Sequence, residues 1–369
     1  MGVADHWLAI RNRLLASPRF QQFALDYWPF RLIARRRSRQ LFDLLAGFAY
    51  SQVLYATVKL SLIDLLQAGP LSAADIARRT GWETDRLERL LKAAASLDIL
   101  ETTTDGDYAL GQHGAALAGN PWIAKFILHH HLLYEDLADP LALLSGKTAG
   151  GRLRDYWGYP GSRAVDVATA ETYSALMAAS QQAVTAEILA AYDFGQHEHL
   201  IDVGGGSGAF LAAAATKHRG LKVMLFDLPA VAELARPTLA SLGPRATVAG
   251  GSFLSDPLPK GPDVATLVRI AHDHDDDSVR MVLANIHRML PAHGRLVLAE
   301  PLSGIPATAP VADAYFGLYF AAMGQGRART AEEISLLAQD AGFEKPEVVS
   351  TRNPLVCSLL CFRKGGKHC

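Results

Sequence analysis

The stretch Arg269-Ile270-Ala271-His272-Asp273-His274-Asp275-Asp276-Asp277 holds the residue types best suited to moving a proton. A histidine titrates near neutrality, so it can take the proton of a hydroxyl as a new bond forms at that oxygen. A carboxylate behind the ring would fix its tautomer and stabilise the imidazolium. Glu300, after the apolar run Arg295 to Ala299, is the candidate for that second group, and Asp273 is expected to face a cofactor or the protein. The alternation of His and Asp also suggests a metal. Yet His272 and His274 share a side only if a strand runs through them, and the acids of 273–277 read as a helix start. Base chemistry at His272 is the better reading, and no metal is expected.

A base needs a reaction partner beside it. In His199-Leu-Ile-Asp-Val-Gly-Gly-Gly-Ser-Gly-Ala-Phe210, Leu200, Ile201 and Val203 read as a buried strand. Gly204, Gly205, Gly206 and Gly208 then make a turn into a helix beginning near Ala209. Glycines let a ligand approach the backbone, and the start of the helix presents free N–H groups. The spacing is not the dinucleotide pattern G-x-G-x-x-G. It is Asp-x-Gly-x-Gly-x-Gly, the form associated with S-adenosylmethionine. That ligand carries an ammonium and a sulfonium and no pyrophosphate, so Asp202 makes physical sense. A tight strand-to-helix turn without a ligand is the plain alternative.

The elements that position these residues are strands of an α/β sheet. Val223 to Phe226 end at Asp227, which could accept two ribose hydroxyls or simply cap a helix, with Leu228 beside it. Ala246 to Ala249 end at Gly250-Gly251-Ser252-Phe253, a place for an adenine. Val264 to Ile270 end at His272 and pass Arg269, a further candidate for the cofactor. All of these residues fall at strand C-termini, where open α/β sheets bind ligands.

The 369 residues are half hydrophobic and one-fifth charged, which allows a large core and about two domains. A net charge of −1 argues against a dedicated nucleic-acid binder. Three cysteines without metal spacing point to a reduced, cytoplasmic protein. No signal peptide and no uninterrupted apolar stretch long enough to span a membrane are read. In residues 1–40, Arg31, Arg35, Arg36, Arg37 and Arg39 lie beside Trp28, Phe30, Leu32 and Ile33. This is an arm that either packs on a partner subunit or touches anionic lipid, the latter peripheral at the inner membrane. Residues 41–68 read as an apolar helix pair broken near Lys59 to Leu62, suited to a subunit interface. Residues 70–110 have a winged-helix pattern: Ser72 and Thr84 as caps, Gly81 as a stop, and a hairpin around Asp105-Gly106. Its second helix balances Arg86, Arg89 and Lys92 with Asp85 and Glu88, so a structural or dimerisation role is preferred to DNA binding.

Residues 111–197 read as helices that carry histidines. His129, His130 and His131 are consecutive and cannot all ligate one metal. Candidates to line a substrate pocket are His130, Tyr134, Trp157, Tyr173, Met177, Asp313 and Tyr319, with ordinary core packing as the alternative.

Together these residues resemble the cation-independent small-molecule O-methyltransferases, the class of plant caffeate and bacterial antibiotic enzymes. The resemblance covers about residues 41–365 and rests on Asp202–Gly208, Phe226-Asp227-Leu-Pro229, Gly250-Gly-Ser-Phe253, His272-Asp273 and Ala299-Glu300. It implies S-adenosylmethionine as cofactor, a homodimer, and His272 as general base with Glu300 behind it. It also implies an α/β fold: a Rossmann-like sheet domain after an all-helical, winged-helix dimerisation domain. The expected order is an arm (1–40), the dimerisation domain (41–112), linker helices lining the pocket (113–197) and the cofactor domain (198–369). Three positions depart from the class. Ser252 stands where the class has an adenine-contacting Asp, His274 where a Trp is common, and Ala328 where a Glu supports the base, leaving Glu300 or Asp313 for that task.

The arm and the run Leu41 to Leu54 are similar to carotenoid-pathway members from purple phototrophic bacteria. These methylate the tertiary 1-hydroxyl of acyclic carotenoids such as demethylspheroidene. The expected acceptor is therefore a 1-hydroxycarotenoid. Alternatives are another large apolar acceptor (a bacteriochlorophyll precursor or a polyketide phenol) and a ligand-sensing regulator that uses the winged helix. A dehydrogenase is disfavoured by the Asp202 signature.

Overall fold

The computed structural model describes residues 2–147, 151–157, 181–306 and 308–365. The chain divides into two compact units, Met1–Leu128 and His129–Cys369. The division falls inside helix α8 (Pro121–Asp136).

The first unit is helical. Helices α1 (Val3–Leu15) and α2 (Pro18–Asp26) precede α3 (Phe30–Lys59), which runs unbroken through residue 40. Ser61, in a left-handed conformation at φ 54°, ends that run and starts α4 (Leu62–Leu66), near the expected break. Leu41, Phe42, Leu44, Leu45 and Phe48 are exposed along α3. By length and composition an 18-residue window of α3 is apolar enough to cross a membrane, at a mean hydropathy of 1.3, although Asp43 and Gln52 interrupt its apolar run.

Helices α5 (Ala73–Thr80) and α6 (Thr84–Ser96) are followed by an antiparallel hairpin of β1 (Leu100–Thr102) and β2 (Tyr108–Leu110), then α7 (Gln112–Ala118). Ser72 caps α5 by accepting from the Asp75 N–H, and Gly81 ends it at φ 75°. Glu83 rather than Thr84 takes the cap position of α6, without a side-chain bond. Leu62, Ile76, Leu87, Leu91 and Leu100 form the fully buried core of this unit.

In the second unit α8 is followed by α9 (Pro140–Leu144), α10 (Arg152–Trp157) and a helix α11 over residues 181–191. The sheet contains β3 (His199–Val203), β4 (Lys222–Asp227), β5 (Ala246–Gly250), β6 (Val264–Val268), β7 (Arg295–Glu300), β8 (Glu347–Val349) and β9 (Ser358–Arg363). Their order is β5-β4-β3-β6-β7-β9-β8. The first five are parallel, and β9 runs antiparallel to β7 and β8.

Helices cover both faces, which is why the central strands read as continuous apolar runs. One face packs Leu200, Val223, Leu225, Val264 and Val297 against α11, α12 (Ala209–Lys217) and α13 (Pro229–Leu239). The other packs Ile201, Val203, Ala265, Leu267 and Leu298 against α14 (Asp276–Met289) and α16 (Ala331–Asp340). Chain order reverses between β3 and β6. The crevice beyond their C-terminal ends is thus the place where such sheets hold ligands.

Candidate active site

The glycine corner follows β3. Asp202 is buried, and the Thr266 hydroxyl donates to its Oδ1 at 2.7 Å. Burial pushes the Asp202 carboxyl up to about 7 although the Thr266 bond opposes it. Beyond it the chain turns through Gly204, Gly205 and Gly206. Gly206 holds φ at +56°, a value L side chains rarely adopt, and a Cβ there would project into open space. The backbone is thus bare where a ligand must reach it.

Asp227, at the end of β4, takes the N–H of Gly206 on Oδ2 at 2.9 Å and that of Leu228 on Oδ1 at 2.7 Å. Burial raises its carboxyl too, with the two N–H groups acting against it. After β5, the N–H of Ser252 donates to Asp256 Oδ2 at 2.8 Å, and Phe253 packs edge-on against His274 at 5.5 Å between ring centroids. Asp256 thus fixes this loop from its side chain, while Ser252 stands where the class has its adenine-contacting Asp. A cation-bearing nucleoside fits this corner: an open glycine cradle, two buried carboxylates beside it, and an apolar ring at the next strand tip.

Strand β6 ends two residues earlier than its apolar run suggests. Arg269 stands at φ 55°, a left-handed conformation that breaks the strand, while its N–H still donates to Ala299 O at 2.8 Å. A short 3-10 turn, Ala271–Asp273, then delivers His272. Glu300, at the tip of the neighbouring β7, accepts from His272 Nδ1 on Oε2. Its Oε1 takes the N–H groups of Ile270 and Ala271 at 3.0 and 2.7 Å. Asp273 turns back so that its Oδ1 lies 3.2 Å from His272 Nε2. Phe320, on α15 (Phe316–Met323), stacks on the imidazole at 5.1 Å. Burial alone would lower His272, but the charges of Glu300 and Asp273 outweigh it and raise the ring to about 9.

A chain of rings leads away from this histidine. Phe316 stacks on Phe320 at 5.6 Å, and Tyr315 meets Phe316 at 5.0 Å. His130 stacks on Tyr315 at 5.6 Å, and Tyr134 lies 6.1 Å beyond. Their polar atoms bond to one another: Tyr315 OH to His130 Nε2 at 2.9 Å, and Tyr319 OH to His129 Nε2 at 3.0 Å. Tyr315 ends a π-helical turn, Pro310–Tyr315, a rare form frequent at functional sites.

The expected residues therefore gather in three groups. Asp202, Gly204, Gly205, Gly206, Asp227, Leu228, Ser252, Phe253 and Arg269 stand at the tips of four adjacent strands. His272 and Glu300 touch, and His130, Tyr134 and Tyr319 share the ring cluster. Asp313 does not join the base: it is exposed, and its described hydrogen bond is from the Ser303 hydroxyl. Tyr173 and Met177 lie outside the described residues, as does the side chain of Trp157. Thr266, His129, Tyr315, Phe320 and Arg329 were not anticipated. The run Phe316-Gly-Leu-Tyr-Phe320 carried a signal for some of them, since three rings in five residues mark an aromatic face.

Comparison with known proteins gives the family of the chain. The family profile of the O-methyltransferase domain matches residues 134–344, and that of the O-methyltransferase dimerisation domain matches residues 42–119. The demethylspheroidene O-methyltransferase of Cereibacter sphaeroides is 42% identical over 353 residues, 94% of this chain and 93% of the relative. That of Rhodobacter capsulatus is 38% identical over 335 residues, 90% of this chain and 84% of the relative. Among solved structures, CalO1, a methyltransferase in calicheamicin biosynthesis, in its SAH-bound form superposes with a TM-score of 0.76 at 27% identity, covering 89% of this chain and 98% of that one. The dimerisation domain supports a homodimer, and the apolar residues exposed on α3 from Phe42 onward lie within it. With the profile matching more than half of the chain and relatives this similar along most of it, the protein belongs to the S-adenosylmethionine-dependent O-methyltransferases.

Proposed function

We propose that the protein methylates the tertiary 1-hydroxyl of an acyclic carotenoid of the demethylspheroidene kind, with His272 as the base. The observation that carries the reading is the chain of rings from Phe320 to Tyr134 that starts on His272. Its hydroxyls and imidazoles bond to each other, so it suits a long conjugated hydrocarbon through ring faces and edges of low polarity. Demethylspheroidene O-methyltransferases as relatives support the same acceptor.

S-adenosylmethionine, when bound, supplies an electrophilic methyl on a sulfonium. Asp202, the Gly204–Gly206 backbone, Asp227, Leu228, Ser252, Phe253 and Arg269 are the residues proposed to hold it. The rest of the task is to produce a nucleophile, because a neutral tertiary alcohol is a poor one. Glu300 keeps the proton of His272 on Nδ1, which leaves Nε2 to collect the acceptor's proton once Asp273 gives way. Phe320 holds the ring in plane. Labelled S-adenosylmethionine supplied with hydroxycarotenoids, a bacteriochlorophyll precursor and a polyketide phenol tests the reading. Label in the carotenoid ether, lost with His272→Ala while cofactor still binds, is the expected result. Preferential labelling of either other acceptor overturns the acceptor assignment, and full turnover by the variant overturns the base.

The enzyme is further proposed to work in the cytoplasm, as a homodimer resting on the inner membrane through residues 1–40. Eight arginines against two acids give this arm a charge of +6, while the remaining 28 basic and 35 acidic residues give the rest −7. Trp7 and Trp28 are 65% and 70% exposed, and Leu14, Leu15, Phe23 and Ile33 are exposed with them. Exposed aromatic and basic side chains together suit an anionic lipid surface. Flotation with phosphatidylglycerol vesicles, but not phosphatidylcholine vesicles, is expected for the full chain and lost without residues 1–40. Equal flotation of the truncated protein would remove the arm from this role.

A further inference from the structure

The turn that presents His272 has little internal support. Its own bonds are Asp273 N–H to Ile270 O at 3.1 Å and His274 N–H to Ala271 O at a long 3.4 Å. Glu300 takes the N–H groups of Ile270 and Ala271 on one side, and a buried guanidinium fixes the carbonyl side of the turn from behind. Arg329, 2% exposed, donates from Nη1 to Ala271 O at 2.5 Å and from Nη2 to His274 O at 2.7 Å. Its Nε and Nη2 also reach Asp276 Oδ1 at 2.8 and 2.7 Å. Of the two carbonyls between those of Ala271 and His274, His272 O accepts from the Arg327 N–H at 2.9 Å.

Gly326 makes that approach possible. It stands at φ +81°, and a Cβ there would lie 2.1 Å from His272 O. Arg329 is itself anchored. Its carbonyl accepts from the Ser303 N–H at 2.9 Å, and the next residue, Thr330, caps α16 in a reciprocal pair with Glu333.

We infer that Arg329, held by Asp276, is the positioning residue for the base: it sets the heading of the His272 ring by gripping the peptide carbonyls on either side of it. Arg329 donates none of these bonds to the imidazole, so it acts through the turn. A planar fork suits this task, because it meets two carbonyls at fixed angles where a lysine can meet only one point. A burial this deep is sustained by the Asp276 charge together with the two carbonyls. Displacement of a reacting group by about 1 Å can cost ~100-fold in rate, so a small rotation of the turn is enough to matter.

The inference rests on His272 being the base, and the two can fail separately. Turnover, the pH profile of kcat/KM and cofactor affinity by calorimetry are measured for wild type, His272→Ala, Arg329→Lys and Asp276→Asn. Arg329→Lys keeps the charge, and Asp276→Asn, partly exposed, loosens the arginine from outside the core. Both are expected to bind cofactor within a few-fold of wild type, to lose kcat by ~10- to 100-fold with little change in acceptor KM, and to move the pH limb of His272. If both variants melt earlier yet keep kcat and the pH limb, Arg329 is structural only and the inference falls. If Arg329→Lys does not fold, Asp276→Asn decides alone on the same criteria. Retained turnover in His272→Ala would instead remove the base, whatever Arg329 does.

Discussion

Glu300 holds His272 and the turn beneath it with one carboxylate. Its Oε2 accepts from Nδ1 of the imidazole, and its Oε1 gathers the N–H groups of Ile270 and Ala271 at 3.0 and 2.7 Å. The acid that orients the ring therefore also fixes the peptide that carries the ring. Glu300 lies at the tip of β7 and His272 just past β6, so the register of two neighbouring parallel strands sets their meeting.

Glu300→Gln should separate orientation from charge. The amide can still accept the two main-chain N–H groups, but its NH2 would face Nδ1 and force the ring's proton onto Nε2. The lone pair then points into the protein and the acceptor meets an N–H. We expect kcat to fall toward the ~10²–10⁴-fold loss of a missing base, with the fold and cofactor binding kept. Single-turnover methylation measures it, and a loss below about threefold would show that the tautomer is set elsewhere.

Two carboxylates on one buried ring give a definite pH response. Burial presses His272 down, but Glu300 and Asp273 prevail and raise it from 6.5 to about 9. A raised histidine contributes stability that is complete below about pH 6.5 and is lost as pH rises through about 9. Activity runs the other way, because only the neutral ring can take a proton. In the free enzyme kcat/KM should therefore rise with pH to a limb near 9, while the melting temperature falls over the same interval. Asp273→Asn should bring the limb down. A wild-type limb near 6.5 would mean the ring is not paired on both sides in solution.

The sheet was legible because buried parallel strands have to be continuous apolar runs, and glycines have to follow a strand that meets a ligand. His272 and Glu300 were legible because each stands just beyond such a run. The end of β6 was not. Val264 to Ile270 is apolar apart from Thr266 and Arg269, and the left-handed backbone of Arg269 that stops the strand has no mark in residue type. The Arg329 grip was hidden for another reason. Its partners are main-chain carbonyls 55 and 58 residues away, and main-chain atoms leave no pattern in a sequence. The bond from the Ser252 N–H to Asp256 likewise depends on how the loop closes.

Asp202 offers a test of the cofactor corner. Burial raises its carboxyl from 3.8 to about 7, with Thr266 opposing. The folded protein thus holds a proton there that the unfolded chain has lost, and stability falls as pH rises from about 4 to about 7. Asp202→Asn should remove that slope and leave the ligand-free protein no less stable at pH 8. It should also weaken S-adenosylmethionine by about 10- to 100-fold, the size of a lost hydrogen bond to a charged group. Melts at several pH values and calorimetry would measure both. Unchanged affinity would place the ligand's cation away from Asp202.

The paired rings test the acceptor surface. Tyr315 OH meets His130 Nε2 at 2.9 Å, and Tyr319 OH meets His129 Nε2 at 3.0 Å. Burial, aided by His130 and His131, pushes His129 down to about 3, and burial pushes the Tyr315 hydroxyl up, so His129 and Tyr315 stay neutral at ordinary pH. A neutral phenol bonded to an imidazole presents little polarity to a hydrocarbon. Tyr315→Phe and His130→Leu should each raise the KM of a hydroxycarotenoid more than they lower kcat, because binding and not proton transfer is disturbed. The double variant should do less harm than the two singles added together, with a coupling of about 1 kcal/mol. Strictly additive effects would mean that the two side chains act independently and that their bond does not shape the acceptor surface.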